Sequence, residues 1–422
     1  MTTLMIIIFV VGYLAIALEH PLNLNKTAPA MLAAVFCWTV YALYSPDSHE
    51  VTHHLREHLG EVSEILFFLM GAMTIVELID AHHGFRFVTD RIKAKNKVSL
   101  LWILSFVTFF LSAILDNLTT SIVMVSLLRK LVHNDTERKF FAGMVIIAAN
   151  AGGAWSPIGD VTTTMLWIEE RITTLAIIKM TFIPSVVCTV VPLIFASMSL
   201  KGKIEEPKNT HSEESHQGGL IMLLVGVGGL IFVPAFKTIT HLPPYVGILL
   251  ALGVLWTVSE IIDSKADELV KKKLSPIAAL SRIDTASILF FLGILLAIGS
   301  LQVTGVLTNL AQWLDDNIGH QDMIVMAIGA ASAIVDNVPL VAAAIGMYSP
   351  EVYPTDHKLW EFMAYCAGTG GSMLIIGSAA GVAVMGMEKI EFMWYMRKLG
   401  WLAAVGYFAG AGTYLLMYML AH

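Results

Sequence analysis

"SAILDN" at residues 112–117 returns as "SAIVDN" at residues 332–337. Each copy sets an aspartate and an asparagine into sequence that is otherwise apolar, and the copies lie 220 residues apart, about half the chain. A carboxylate at the centre of a bilayer costs about 2.5–3.5 kcal/mol on insertion scales. Asp116 and Asp336 therefore need a proton, a cation or a basic side chain beside them. No Lys or Arg falls within the surrounding apolar cores, which leaves protons and cations.

The bilayer is implied by the rest of the chain. Of 422 residues, 56% are hydrophobic and only 14% charged, with mean hydropathy +0.72, whereas soluble domains carry about 25% charged residues. Apolar windows long enough to span a membrane recur throughout, and the short alternating segments of a β-barrel are absent. The expected fold is an all-α polytopic membrane protein. The first run, "LMIIIFVVGYLAIAL" (4–18), follows an uncharged "MTT" and reads as a retained helix rather than a signal peptide. Cys37, Cys188 and Cys366 all lie in apolar segments and read as small core residues. No motif for a cofactor, an enzyme active site or nucleic acid binding stands out.

Ten crossings fit the hydropathy, near 3–18, 27–44, 62–82, 138–168, 174–199, 219–236, 244–262, 284–303, 358–386 and 394–420. Two longer apolar segments, near 98–133 and 320–348, carry Asp-Asn at their middles and read as re-entrant hairpins. The crossings at 138–168 and 358–386 are interrupted by "NAGGAWSPIGD" (150–160) and "GTGGSMLIIGS" (368–378). Unwound backbone at membrane depth is tolerated only where it lines an enclosed cavity. The repeat extends beyond the hexapeptide, since "ILFFL" occurs at 65–69 and 288–292, and Gly152, Gly153 and Gly159 align with Gly370, Gly371 and Gly377. An N-terminal repeat (1–199) and a C-terminal repeat (218–422) are expected, joined by the polar linker 200–217. Five crossings per half is an odd number, so the second half should be inverted, the architecture of secondary transporters.

Loop charge sets the expected orientation. With both termini outside, 21 of the 26 Lys and Arg fall on the inner side, including Lys26, the 86–97 stretch and the linker. The first hairpin is then expected to enter from inside and the second from outside.

Hard cations take oxygen ligands, and burial disfavours a bare carboxylate. A group neutralised by either H⁺ or a metal cation is what proton-coupled cation exchange requires. The first hairpin tip offers Asp116, Asn117, Thr119 and Thr120, and the first break offers Asn150, Ser156, Asp160, Thr162 and Thr163. The second half offers Asp336, Asn337, Thr369, Ser372 and Ser378. All are neutral or acidic oxygen donors, as a cation site needs. Asp160 aligns with Ser378, so the acids are unequally shared and the main cation site, at Asp116, Asn117 and Asp160, is expected nearer the first hairpin. Helix capping is the competing account of Asn117 and Asn337, and back-bonding to the helix that of single hydroxyls.

Elsewhere, Glu64 sits beside the apolar core of the third crossing, where it can line an ion path. The outer stretch "SHEVTHHLREHLGE" (48–61) reads as a solvated amphipathic loop. Histidine is the side chain that changes charge near neutral pH, so pH sensing by His54 and His58 is the alternative reading. A metalloenzyme using these histidines or His82 and His83 would need them at one depth, whereas the topology puts them at opposite faces.

Taken together, "ILDNLTTSIVMVSLL" (114–128), "ANAGGAWSPIGDVTTTMLW" (149–167), "AIVDNVP" (333–339) and "GTGGSMLIIGSAAGVAVMG" (368–386) resemble the NhaD-type sodium/proton antiporters of the ion-transporter superfamily. The resemblance covers essentially the whole chain. It implies exchange of H⁺ for cytoplasmic Na⁺ or Li⁺ across a bacterial inner membrane, in the service of sodium and pH homeostasis. It further implies a homodimer whose transport domains move elevator-fashion against a scaffold. The motif match carries over Asp116, Asn117, Thr119, Asn150, Asp160, Thr163, Asp336, Asn337 and Ser378. Gly368 stands where the first break has Asn150, a departure that fits asymmetric ion binding. The alternative on the same fold is a sodium-coupled dicarboxylate or arsenite carrier.

Overall fold

A computed structural model of the chain describes residues 1–22, 24–92, 94, 96–200, 202 and 218–421. Most of the expected linker at 200–217 lies outside the described residues. The fold is all-helical. Among the described residues eight helices are long and apolar enough to cross a membrane.

The first half contains α1 (Thr2–Ala17), α2 (Thr27–Tyr44), α3 (Ser48–Ala81), α4 (Lys97–Leu115), α5 (Asn117–Leu131), α6 (Asp135–Gly153), α7 (Val161–Ile168) and α8 (Thr174–Ser199). The second half has α9 (Gly219–Thr240), α10 (Pro244–Ile262), α11 (Thr285–Val303), α12 (Val306–Ile318), α13 (Gln321–Ala331), α14 (Asn337–Met347), α15 (Lys358–Gly370), α16 (Ala379–Glu388) and α17 (Trp401–Ala421). A π-helical turn at Met396–Gly400 leads into α17.

The stretch 48–61 is helix, not the loop expected from its polarity. It forms the first turns of the 34-residue α3, whose N-terminus is capped by the Asp47 carboxylate accepting from the His49 and Glu50 N–H groups. The charged residues there face outward from a helix that simply continues past the apolar core.

Each Asp-Asn segment breaks a helix, with α4 ending at Leu115 and α5 starting at Asn117. Lys97, at the start of α4, is ion-paired to Glu137 at the start of α6 (2.5 Å), so α4 and α5 leave and return to one level. In the second half Lys358, at the start of α15, pairs with Asp322 at the start of α13 (2.6 Å). The arms differ in length: 19 and 15 residues for the first pair, 11 and 11 for the second.

Close backbone approach holds each break against its hairpin. A Cβ on Gly152 would meet the Phe109 carbonyl oxygen at 2.2 Å, and one on Gly370 would meet that of Gly329 at 1.9 Å. Both positions therefore require glycine. The contacts repeat with the sequence offset: the Ser112 hydroxyl donates to the Ala149 carbonyl (2.6 Å), and that of Ser332 to the Ala367 carbonyl (3.2 Å).

Two groups of helices result. In one, α2 packs against α1 and α11, α3 against α10 and α11, and α9 against α10. In the other, α6 packs on α4 and α5, α13 on α15, and α8 on α17. The short fragments cross over, α7 lying against α14 and α16 against α5. This exchange brings both breaks and both hairpin tips together.

Candidate ion-binding site

Four short helices begin at this junction, each capped by the side chain just before it. The Asp116 carboxylate accepts from the Thr119 N–H (2.8 Å) and the Thr119 hydroxyl (2.8 Å). Asp160 accepts from the Thr162 N–H and hydroxyl (both 2.9 Å). The Asp336 carboxylate accepts from the Val338 N–H (3.3 Å), and the Ser378 hydroxyl from the Gly381 N–H (3.2 Å). The partial positive charge of a helix N-terminus favours a carboxylate here, which helps acids persist where water is scarce.

Asp160 is the centre of the arrangement and is 2% exposed. Beyond Thr162, its carboxylate accepts from the Asn117 amide nitrogen (2.7 Å) and from that of Asn337 (3.5 Å to both oxygens). Asn117 also donates to the Asn150 amide oxygen (3.0 Å), and Asn150 donates to the hydroxyls of Ser372 and Ser378 (both 2.9 Å). One chain of hydrogen bonds thus joins the first hairpin tip, both breaks and the second hairpin tip. All the hydrogen-bond partners of the Asp160 carboxylate donate to it. For a cation to meet Asp160 from the Asn117 side, that amide must turn its oxygen inward.

Asp116 stands beside this network, lining one cavity with Asn117 and Asp160. Its backbone is unusual: φ is 90° and ψ 159°, a region where side-chain-bearing residues cost on the order of 1–3 kcal/mol. Asp336, its counterpart, has φ −47° and no such strain.

The expected donors divide. Asp116, Asn117, Asn150, Asp160, Asn337 and Ser378 come together, and Thr119 supports Asp116. Thr163 spends its hydroxyl on the Asp160 carbonyl (2.9 Å) and Thr369 on the Tyr365 carbonyl (2.7 Å). The Ser156 hydroxyl accepts from the Ile158 N–H within the break (3.4 Å). Thr162 and Ser372 are closer to the chemistry than those three. His54 and His58 lie higher on α3, contacting Tyr41 (3.2 Å) and Glu61 (3.0 Å). Glu64 is one turn above Phe68, which lines the Asp116–Asp160 cavity. Among the described residues no three His, Cys, Asp or Glu side chains gather in one cluster. In the turn between α7 and α8, burial and then the charge of Glu61 push the Glu169 carboxyl up to about 7.

One expectation is overturned. A basic side chain does pair with a buried aspartate: Lys26 Nζ lies 2.7 Å from Asp336 Oδ2. In sequence Lys26 looked like an inner-loop charge, since it stands just before an apolar run. The pairing spans 310 residues, and no local signal reports it.

This is the polar centre of a polytopic helical transporter. The family described as "Citrate transporter" (CitMHS) matches residues 5–360, and the chain belongs to it. Over 419 residues the chain is 52% identical to "Sodium/proton antiporter 1" of Arabidopsis thaliana, covering 99% of this chain and 72% of that one. It is 30% identical to "Na(+)/H(+) antiporter NhaD" of Alkalimonas amylolytica, over 97% of this chain and 89% of that protein. Its fold is shared with the crystal structure of the Alcanivorax borkumensis YdaH transporter, with a TM-score of 0.62 at 10% identity, covering 94% of this chain and 99% of that one.

Proposed function

We propose that this chain is a secondary Na⁺(Li⁺)/H⁺ antiporter that extrudes sodium in exchange for protons by alternating access. The observation that carries the reading is Asp160: a buried carboxylate that accepts from the Thr162 hydroxyl and from the Asn117 and Asn337 amides, one in each half of the chain. The names of the sodium/proton antiporter relatives support it. A proton or a hard cation neutralises Asp116 and Asp160 in turn, so each excludes the other. With Lys26 holding Asp336, two acids remain to carry protons, and a ratio above one H⁺ per Na⁺ makes the exchange electrogenic.

The same reading takes residues 1–199 and 218–422 as inverted repeats joined by a cytoplasmic linker at 200–217. The hairpins at 98–133 and 320–348 enter from opposite sides of a bacterial inner membrane, and both termini lie outside. A homodimer with elevator motion of the hairpin-bearing group of helices completes the scheme.

A citrate or dicarboxylate carrier is the second reading, favoured by the family's description. It calls for a cationic group free to meet a carboxylate, and Lys26 is already neutralised by Asp336. Proteoliposomes with an acid-inside ΔpH and a pH dye separate the two. Dissipation of the gradient by NaCl and LiCl, but not by KCl, citrate or succinate, is expected. A response to citrate or succinate alone would replace the antiporter reading with the carrier one.

A further inference from the structure

Lys26 sits where the sodium/proton reading has no use for a fixed charge. Its ammonium is 2.7 Å from Asp336 with both side chains mostly buried, 21% and 13% exposed. It also lies 4.3 Å from the centroid of the Phe290 ring. A compact ammonium makes a point contact, not a two-pronged one. The other Asp336 oxygen accepts only from the Val338 N–H, at 3.3 Å.

Two cavities meet at this lysine. One is lined by Lys26 together with Asp116, Asn117 and Asp160. The other is lined by Lys26 with Asp336, Ser378 and Tyr13. The second holds the donor set a hard cation takes, a carboxylate and two hydroxyls. Its Tyr13 hydroxyl is buried without a hydrogen-bond partner. It is tied to the first cavity through neighbours already described: Ser378 accepts from Asn150, and Asn337, next to Asp336, donates to Asp160. Glu19, whose carboxylate accepts the Lys26 N–H (3.3 Å), and Asp284 lend further negative charge to the lysine.

We propose that Lys26 is a built-in counter-cation of the transport site, competing with the transported cation for Asp336. The proposal rests on the sodium/proton reading. When a cation moves from Asp160 toward Asp336, the ammonium gives up the carboxylate and keeps the face of Phe290, where cation–π attraction holds it. Its return displaces the ion. Lys26 is thus a positioning residue: it weakens cation binding at Asp336 and speeds release.

The test is the apparent KM for Na⁺ and the maximal rate in proteoliposomes for wild type, Lys26→Gln, Lys26→Arg, Asp336→Asn and the double variant. Lys26→Gln should lower KM at least fivefold and also lower the maximal rate, because release slows. Lys26→Arg, which keeps the charge, should leave KM at or above the wild-type value. On the Asp336→Asn background Lys26→Gln should leave KM unchanged. A folded Lys26→Gln protein with unchanged or raised KM overturns the proposal, as does a Lys26→Arg protein that mimics Lys26→Gln. If the single Gln variant fails to fold, the Asp336→Asn pair of proteins carries the test. A KM change above threefold there would mean that Lys26 acts by another route. A wild type with no Na⁺ response would remove the antiporter reading and this proposal with it, whereas a responsive wild type with an unmoved Lys26→Gln KM overturns the proposal alone.

Discussion

Replacing Asn150 by alanine tests the central network most directly. Asn150 is fully buried and its amide makes three hydrogen bonds of 2.9–3.0 Å, accepting from Asn117 and donating to Ser372 and Ser378. A buried hydrogen bond contributes about 0.5–1.5 kcal/mol net, so deleting three removes about 3 kcal/mol from whichever state contains them. If that arrangement forms the cation-binding state, transport at low Na⁺ falls about 150-fold, since about 1.4 kcal/mol is tenfold. Unfolding stability falls by a similar amount. Asn150→Asp separates the charge from the hydrogen bonds. The serine hydroxyls rotate to donate and all three bonds persist, so the hydrogen-bond loss is avoided and what changes is the new carboxyl beside Asp160, which costs stability by its burial and alters ion preference. The assay is NaCl-driven proton release from proteoliposomes, paired with thermal unfolding in detergent. An Asn150→Ala protein within threefold of wild type in transport would refute the claim that this bridge couples the two halves.

Three other outcomes follow from single contacts. Asp116→Gly relieves a backbone strain on the order of 1–3 kcal/mol and loses a cap worth about 1 kcal/mol; thermal stability should stay within a few degrees of wild type while Na⁺ transport is lost, and a protein that still transports would remove Asp116 from the mechanism. Gly152→Ala places a methyl 2.2 Å from the Phe109 carbonyl oxygen, an overpacking that costs roughly 1–3 kcal/mol, so a clear drop in melting temperature is expected and an unchanged one would contradict the close approach. Glu169, raised by burial from an ordinary value of 4.5 to about 7, holds its proton more tightly when folded than when unfolded. The stability this gives is complete below about pH 4.5 and lost as pH rises through about 7, at most about 3 kcal/mol. Glu169→Gln should therefore gain on wild type steadily over that window, and a pH-independent difference would refute the assignment.

Much of the site was legible because its signals are local. Asp116, Asn117, Asp336 and Asn337 announce themselves by polarity inside apolar runs, and glycine-rich breaks mark unwound backbone. Asn150 and Asp160 follow from lying within such a break. The hydroxyls were harder to rank. Whether a threonine turns to an ion or to its own helix depends on a rotamer, so Thr163 and Thr369 proved to be back-bonded while Thr162 faces Asp160. Polarity alone also misread residues 48–61, because a helix that outruns the apolar layer has charged residues in its end turns.

The sequence by itself determined the membrane class, the repeated Asp-Asn and glycine motifs and the identity of the acids, since these follow from hydropathy, spacing and residue type along the chain. Only the tertiary structure decided which partners neutralise those acids. Asp336 meets Lys26 across 310 residues, and Asp160 gathers Asn117 and Asn337 from two hairpins. Such pairings are set by how helices pack against one another, and a buried charge takes whichever opposite charge the packing brings within reach.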